Sequence, residues 1–362
     1  MRRLVLVLAL LVSVLTVQPA IAASGPFDGW SFDGVTVAAN DARLAGGASS
    51  GTMSSPPVSS AKPFEQLIGS WNAVTPAGTW LEVRARLLQA PGWSPWYGLG
   101  VWASDGQRHS VDGQRDERAA VDTDTLLAAP GLPASGYQLS VALNGSASGS
   151  PTVRLVKAAT SSASKAEPGS AWGVDVPVPQ RSQMLAEYRE LGFGGGGEAW
   201  CSPTSTSMVM AYWANVLNLP QLDVPVPTAA AGTYDYAYRG AGNWPFNTAF
   251  AGSYGLTAYV ARFGSLAHIE PWIRAGVPIV ISVSFRPGEL AGAPIASTPG
   301  HLLVVRGFTP RGDVIMNDPA AASDAQVRMV YDRGQLERAW LNGSRGTAYV
   351  IYPPGWVVPT EG

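Results

Sequence analysis

The stretch GEAWCSPTSTSMVMAYWANVL, residues 197–217, decides how the rest of the chain is interpreted. It contains Cys201, the single cysteine among 362 residues, followed by Ser202 and Pro203, which favour the start of a helix. Apolar residues then recur at helical spacing at Met208, Val209, Tyr212 and Val216. Because the positive end of a helix dipole stabilises a thiolate, this cysteine is predicted to be nucleophilic. A buried, inert thiol is the structural alternative.

The N-terminus has the features of an export signal. Arg2 and Arg3 precede an apolar run at 4–15, and a small-residue cleavage site follows at 20–22. The run is too short to span a bilayer. We therefore expect residues 1–22 to be a signal peptide and the protein to be secreted, either extracellular or associated with the cell wall. Since secreted proteins use disulfides freely, a lone thiol indicates a chemical role or pairing between molecules.

Charge and composition narrow the class of protein. The chain carries 24 basic and 26 acidic residues, so no basic surface for nucleic acid is expected. Beyond the signal, no stretch is long and apolar enough for a transmembrane span. The 41 glycines and 29 prolines are typical of strand-rich folds with many turns.

Residues 24–158 are predicted to form an all-β sandwich domain. Thr79–Leu87 (TWLEVRARL) alternates strictly between apolar and polar residues, which indicates a strand with one buried face. Three further candidate strands, bounded by turn residues, are 97–102, 137–143 and 152–156. Several short strands between turn signals favour a sandwich.

Aromatic and acidic residues of this domain suggest binding roles that have simpler alternatives. The crowded aromatic residues are Trp71, Trp80, Trp93, Trp96, Tyr97 and Trp102. They are interpreted either as a surface for a cell-wall polymer or as an ordinary sandwich core. The aspartates are Asp112, Asp116, Asp122 and Asp124. Their spacing fits no calcium loop, so solvated loop charges are favoured, and no metal or organic cofactor is expected.

Small polar residues predict a linker at 159–173, and the pattern changes beyond it. From residue 174 to 362, candidate helices accompany apolar strands at 278–285 and 301–308. The second of these strands is followed by a turn and a returning strand. This order predicts an α+β domain with an antiparallel sheet. Four glycines at 194–197 predict a mobile loop beside the cysteine.

A nucleophilic cysteine needs a base, and the chain offers three histidines. His109 and His268 are interpreted as surface residues. His301 follows a Pro-Gly turn and opens an apolar strand, which allows its side chain to project into a cleft.

The returning strand offers two residues that could orient this histidine. If the hairpin loop has an even number of residues, Asp318 lies on the same face as His301, one diagonal step away. If the loop has an odd number of residues, Asn317 instead of Asp318 lies on the face of His301. We expect Asp318, because a carboxylate accepts the imidazole N–H and fixes its tautomer.

The C-terminal domain resembles the papain-fold cysteine peptidases of the bacteriocin-processing type, family thirty-nine, and especially their secreted relatives. The resemblance rests on AWCSPTSTSMVMAYW at 199–213, GHLLVVRGF at 300–308 and NDPA at 317–320. The order of cysteine, histidine and aspartate is that of the family. The processing enzymes of the family are fused to transporters, and this chain shows no such spans.

The resemblance implies a papain-like fold for residues 174–362. It further implies Cys201 as nucleophile, His301 as general base and acid, and Asp318 as the residue that orients His301. The family also has a glutamine before the nucleophile that helps to form the oxyanion hole. Gln183 matches this role, with Gln180 as the alternative.

These observations predict a secreted bacterial cysteine peptidase that acts on a peptide or protein through a thioester acyl-enzyme. Its fold class would be an α+β papain-like domain preceded by an all-β sandwich. One alternative is a hydrolase or amidase that acts on peptidoglycan peptides. The other is a non-catalytic protein that binds the cell wall through its aromatic β-domain.

Overall fold

The computed structural model describes residues 25–106, 108–160 and 166–359. The expected signal peptide, residues 1–22, lies outside the described residues, as does part of the expected linker. Within the described ranges, no helix combines the length and the apolar character that crossing a bilayer requires.

The described residues before 160 form strands and connecting turns. These strands are β1 (Ser31–Asp33), β2 (Val35–Ala38), β3 (Asp41–Leu44), β4 (Ser50–Ser54), β5 (Val58–Phe64), β6 (Gln66–Val74), β7 (Trp80–Gln89), β8 (Gly92–Trp93), β9 (Tyr97–Trp102), β10 (Ala119–Asp122), β11 (Thr125–Ala128), β12 (Ala134–Asn144) and β13 (Thr152–Ala159). One sheet has the order β1-β4-β12-β7-β8, with β5 paired to β12 and β9 paired to β7. The other has the order β10-β11-β6-β13-β3-β2.

Strand β7 confirms the predicted alternation. Its residues Leu81, Val83, Ala85 and Leu87 are buried, while the intervening side chains are more exposed. The aromatic cluster divides between interior and surface. Trp71, Tyr97 and Trp102 are buried, whereas Trp80 and Trp96 are each 37% exposed. Three of the six aromatic residues that could have formed a binding surface are therefore part of the hydrophobic core.

The remaining chain mixes helices and strands. Its elements are α1 (Cys201–Leu217), α2 (Val226–Thr233), α3 (Trp244–Ser253), β14 (Thr257–Arg262), α4 (Leu266–Arg274), β15 (Ile279–Phe285), β16 (Thr298–Phe308), β17 (Val314–Asn317), β18 (Arg328–Tyr331), α5 (Arg333–Ser344) and β19 (Thr347–Tyr352). The sheet has the order β14-β19-β15-β16-β17-β18 and every neighbouring pair is antiparallel, which confirms the predicted sheet type.

Helix α1 differs from its prediction in two ways. It begins at Cys201 itself, and Ser202 does not cap it, because the Ser202 hydroxyl lies 2.8 Å from the Tyr349 hydroxyl instead. The helix is also buried on all sides from Ser202 to Ala214, rather than on one apolar face. The exception among the predicted apolar positions is Val216, which is 43% exposed. The helix is therefore the centre of the domain.

The strand-bearing region and the helical region share one hydrophobic core. The ring of Phe246 in α3 lies between Trp71 and Trp102, with centroid distances of 6.1 and 5.6 Å. Edge-to-face rings at such distances attract each other beyond the gain from burial. Between β6 and β14, the Asn72 side chain donates to the carbonyl of Ala258 at 2.6 Å and accepts from its N–H at 3.0 Å.

The residues just before 174 are held in place. The carboxylate of Glu270, which is fully buried in α4, accepts hydrogen bonds from the N–H groups of Gly169 and Ala171. It also accepts from the indole N–H of Trp172 and forms an ion pair with Arg333 at 2.8 Å. The C-terminal part of the expected linker is thus fixed to the second region.

Candidate active site

Cys201 and His301 both line a cleft of about 890 Å³. Cys201 stands at the first turn of α1, where the N–H groups of a helix have no internal partners. His301 lies inside β16, since that strand begins at Thr298 rather than at the histidine as predicted. Both side chains line this cleft, and each shifts the pKa of the other, so α1 and β16 bring together two residues that are 100 positions apart in the sequence.

Asp318 holds the other side of the imidazole. Its Oδ1 accepts a hydrogen bond from His301 Nε2 at 2.7 Å, which leaves Nδ1 as the ring nitrogen for the thiol. Its Oδ2 accepts from the hydroxyl of Tyr331 at 2.7 Å, and the N–H of Ala320 donates to Oδ1 at 3.0 Å. Both carboxylate oxygens are satisfied, so the carboxylate and the ring are fixed in position.

The hairpin places Asp318 beside His301 by a route different from the predicted one. Phe308 pairs with Val314, so the loop between β16 and β17 has an odd number of residues, contrary to the expectation. A β-bulge between Val305 and Gly307 then shifts the register by one residue, and Val304 pairs with Asn317. The bulge therefore places Asp318 on the same face as His301, as a loop with an even number of residues would have done.

Asn317 points to the opposite face of the sheet. Its Nδ2 donates to the carbonyls of Val178 and Pro179, at 3.2 and 2.9 Å, and its Oδ1 accepts from Arg306. These contacts anchor the segment that enters the second region. Asn317 therefore holds the backbone and does not face the imidazole.

The environment stabilises the thiolate and the imidazolium together. Burial acts to raise the pKa of Cys201, but the hydrogen bond and charge of His301, with the N–H groups of Leu302 and Ser202, lower it. Burial acts to lower the pKa of His301, but Asp318 and Cys201 outweigh it and raise the pKa to about 10. Burial and the adjacent Asp318 charge raise the pKa of Tyr331, which keeps its hydroxyl a donor.

The other two histidines are placed away from this group. His109 pairs through its backbone with Val101 in the strand-bearing region. His268 Nδ1 lies 2.9 Å from the hydroxyl of Ser265 at the start of α4. Neither is among the described residues that line the cleft around Cys201.

Two protein-family models match the chain. Residues 30–161 match the family model described as the peptidase C39 N-terminal domain, and residues 176–347 match the peptidase C39-like family. The chain belongs to the C39-like peptidases. It is therefore a cysteine-type peptidase, and its substrate is a peptide or protein.

Solved structures offer weaker likenesses. A Bacillus anthracis protein described as a C39-like peptidase is 17% identical, over 52% of this chain and 98% of that one, with a TM-score of 0.34. A tailspike protein of bacteriophage CBA120 is 14% identical over 37% of this chain and 20% of that one, with a TM-score of 0.24. TM-scores this low do not establish a shared overall fold. No curated protein matches the chain.

Gln183 lines the cleft of the C39-like domain, whereas Gln180 does not. Gln183 is only 3% exposed, and its Nε2 donates to the carbonyl of Glu198 at 2.7 Å, which leaves one amide hydrogen free. Gln180 is exposed and accepts from the N–H of Arg328. Gly197 permits the close approach of the Gln183 backbone, because a Cβ at position 197 would collide with the Gln183 carbonyl oxygen.

The cleft has a second wall that the sequence did not predict. The turn between β10 and β11, residues 122–125, lines the cleft from the strand-bearing region. Asp124 Oδ2 accepts a hydrogen bond from the N–H of Trp244 at 2.8 Å. Burial raises the pKa of Asp124 to about 6, although this bond and the one from Thr125 oppose the shift. The sequence indicates that Asp122 and Asp124 are possible metal ligands or solvated charges, but it does not predict that they line the cleft around Cys201.

Proposed function

We propose that this C39-like peptidase is exported and cleaves peptide bonds with Cys201, His301 and Asp318 as its catalytic triad. The observation that carries the proposal is that Cys201 and His301 line one cleft, and that His301 is hydrogen-bonded to the buried carboxylate of Asp318 at 2.7 Å. A nucleophile, a base and a residue that orients the base are the three elements that acyl transfer needs.

In the proposed reaction, the Cys201 thiolate attacks the carbonyl carbon of the scissile bond. The His301 imidazolium gives its proton to the leaving amine as the carbon–nitrogen bond breaks, and a thioester remains. Water then attacks the thioester while His301 takes a proton from it. The acid product leaves and the thiolate–imidazolium pair is restored. Asp318 keeps Nε2 protonated throughout and stabilises the imidazolium.

The oxyanion of the tetrahedral intermediate needs donors, and two are available. One is the backbone N–H of Cys201 at the start of α1, where the helix dipole also favours negative charge. The other is the free amide hydrogen of Gln183. Such preorganised donors contribute much of the stabilisation in acyl transfer.

The strand-bearing region is proposed to be a β-sandwich, in keeping with its two sheets and their shared core. Because the rings of Trp80 and Trp96 are exposed, we propose that this region contacts a cell-wall polymer. Such contact would bring the cleft to peptides of the wall, which makes them a candidate substrate.

The function is tested by digesting a proteome-derived peptide library with the full chain and with its Cys201→Ala variant. We expect new peptide termini with the wild type and none with the variant, because the variant lacks the nucleophile. Identification of the termini by mass spectrometry also gives the cleavage preference. Equal digestion by both proteins, or by neither, would contradict the proposed function.

The role of Gln183 gives a separate prediction. Replacing Gln183 by alanine is expected to lower kcat by roughly 10²- to 10³-fold with little change in KM, since the lost donor acts mainly in the transition state. Steady-state kinetics on a cleaved library peptide measures this. Gln180→Ala is the matched control and should retain its turnover. A reversed pattern would assign the oxyanion donor to Gln180.

A further inference from the structure

The cleft of the C39-like domain is closed on one side by the other domain. The β10–β11 hairpin contributes residues 122–125 to the same cavity that Cys201 and His301 line. A substrate that reaches the thiol therefore passes along a surface that the papain-like fold does not itself supply.

The hairpin is held firmly against the catalytic domain. Asp124 is buried, and its carboxylate joins the hairpin to the start of α3 through the N–H of Trp244 and also accepts from the Thr125 hydroxyl. Thr123 has φ of 51°, a left-handed conformation that β-branched residues rarely adopt. Backbone strain of this kind persists only where the surroundings enforce it, and it is concentrated at functional sites.

The side chains at this end of the cleft suit a cation with an apolar stem. Asp122 is exposed and its carboxylate has no hydrogen bond or ion pair with any residue that the structure describes. Glu198, which also lines the cleft, adds a second exposed carboxylate, and Arg239 is a basic side chain in the same lining. Tyr238, which is 52% exposed, lines the same cleft and offers an aromatic face.

An unsatisfied polar atom on the catalytic-domain side of the cleft is consistent with a peptide ligand. Gln183 is buried, and its Oε1 has no hydrogen-bond partner among the described residues. Buried polar atoms without a partner are uncommon, and the N–H of an extended peptide is a donor that would satisfy this one.

We propose that the β10–β11 hairpin, with Asp122 and Tyr238, forms a specificity subsite that selects a lysine or arginine side chain of the substrate. This proposal rests on the proposed peptidase function and adds its substrate class. The ammonium or guanidinium group would lie at Asp122, and its aliphatic stem would cover Tyr238. The β-domain would then determine which bond the catalytic domain cleaves.

The test compares two internally quenched peptides that differ at one position, lysine in one and norleucine in the other. Norleucine keeps the aliphatic stem and lacks the charge. We expect the wild type to prefer the lysine peptide by roughly 5-fold in kcat/KM, the size of one partly exposed ion pair. Asp122→Asn should remove most of that preference, and Asp122→Lys should reverse it. Asp112→Asn, an exposed acid of the same domain outside the cleft, is the matched control and should keep the preference.

Binding of both peptides to the Cys201→Ala variant separates this proposal from the peptidase function. Tighter binding of the lysine peptide that depends on Asp122 supports the subsite, even if the wild type cleaves nothing. Cleavage by the wild type with no preference for lysine, or with a preference that Asp122→Asn leaves unchanged, would overturn the subsite and leave the peptidase function intact. A preference for acidic side chains would overturn it in favour of Arg239.

Discussion

Turnover by the Cys201→Ala variant is expected to fall by roughly 10⁴-fold or more, and His301→Ala should lose about as much. The reason is that the thiolate and the imidazole act as a unit, since each is useful only when the other holds or supplies the proton. The variant that carries both substitutions should therefore be little worse than either single one. Single-turnover and steady-state kinetics on one cleaved peptide measure all three losses.

Alkylation of the thiol provides the control for His301→Ala. Because His301 lowers the pKa of Cys201, its removal should move the pH profile of iodoacetamide labelling to higher pH. His268→Ala, which alters a histidine outside the cleft, should change neither the profile nor the turnover. If the losses from Cys201→Ala and His301→Ala multiplied in the double variant, the two residues would be acting independently and the proposed triad would be incorrect.

Phe246→Ala is expected to lower the free energy of unfolding by about 3–5 kcal/mol. The ring is fully buried between Trp71 and Trp102, and the cavity left behind would lie where the two domains meet. Equilibrium unfolding in urea, followed by tryptophan fluorescence, measures the change.

Phe32→Ala is the matched control for this stability experiment. Phe32 lies in β1 and is 40% exposed, so its removal should change the free energy of unfolding by less than about 0.5 kcal/mol. Two separate unfolding transitions in the Phe246→Ala variant would show that the domains had lost their coupling. An unchanged unfolding midpoint would contradict the view that Phe246 joins the two domains in one core.

Much of the catalytic domain could be predicted because its signals are local. The apolar strands around 279–285 and 301–308 are found with only small shifts of their ends, and the antiparallel sheet follows from their order. The residues of the candidate triad were chosen from a single cysteine, three histidines and one returning strand. Asp318 was predicted to share a face with His301 if the loop had an even number of residues, and the loop has an odd number. Asp318 lies on the face of His301 only because a β-bulge compensates for the odd loop. No local sequence signal predicted that bulge.

Features that depend on tertiary contacts escaped prediction. Helices α2 and α3 were not predicted, because they are rich in small and aromatic residues whose periodicity is weak. The Ser202 hydroxyl forms a hydrogen bond with Tyr349, which is 147 positions away, and does not cap the helix. The hairpin at 122–125 was interpreted as a solvated loop, since its place in the cleft depends on the docking of two domains.

The contacts of β6 with β14 have a consequence for how substrates enter and products leave. Asn72 and Ala258 exchange two hydrogen bonds, and Ser70 accepts another from the N–H of Val260. Because these bonds join one domain to the other, rotation of one domain against the other would have to break them. Substrate entry and product release that leave these bonds intact would then rely on movement of side chains and short surface segments that line the cleft.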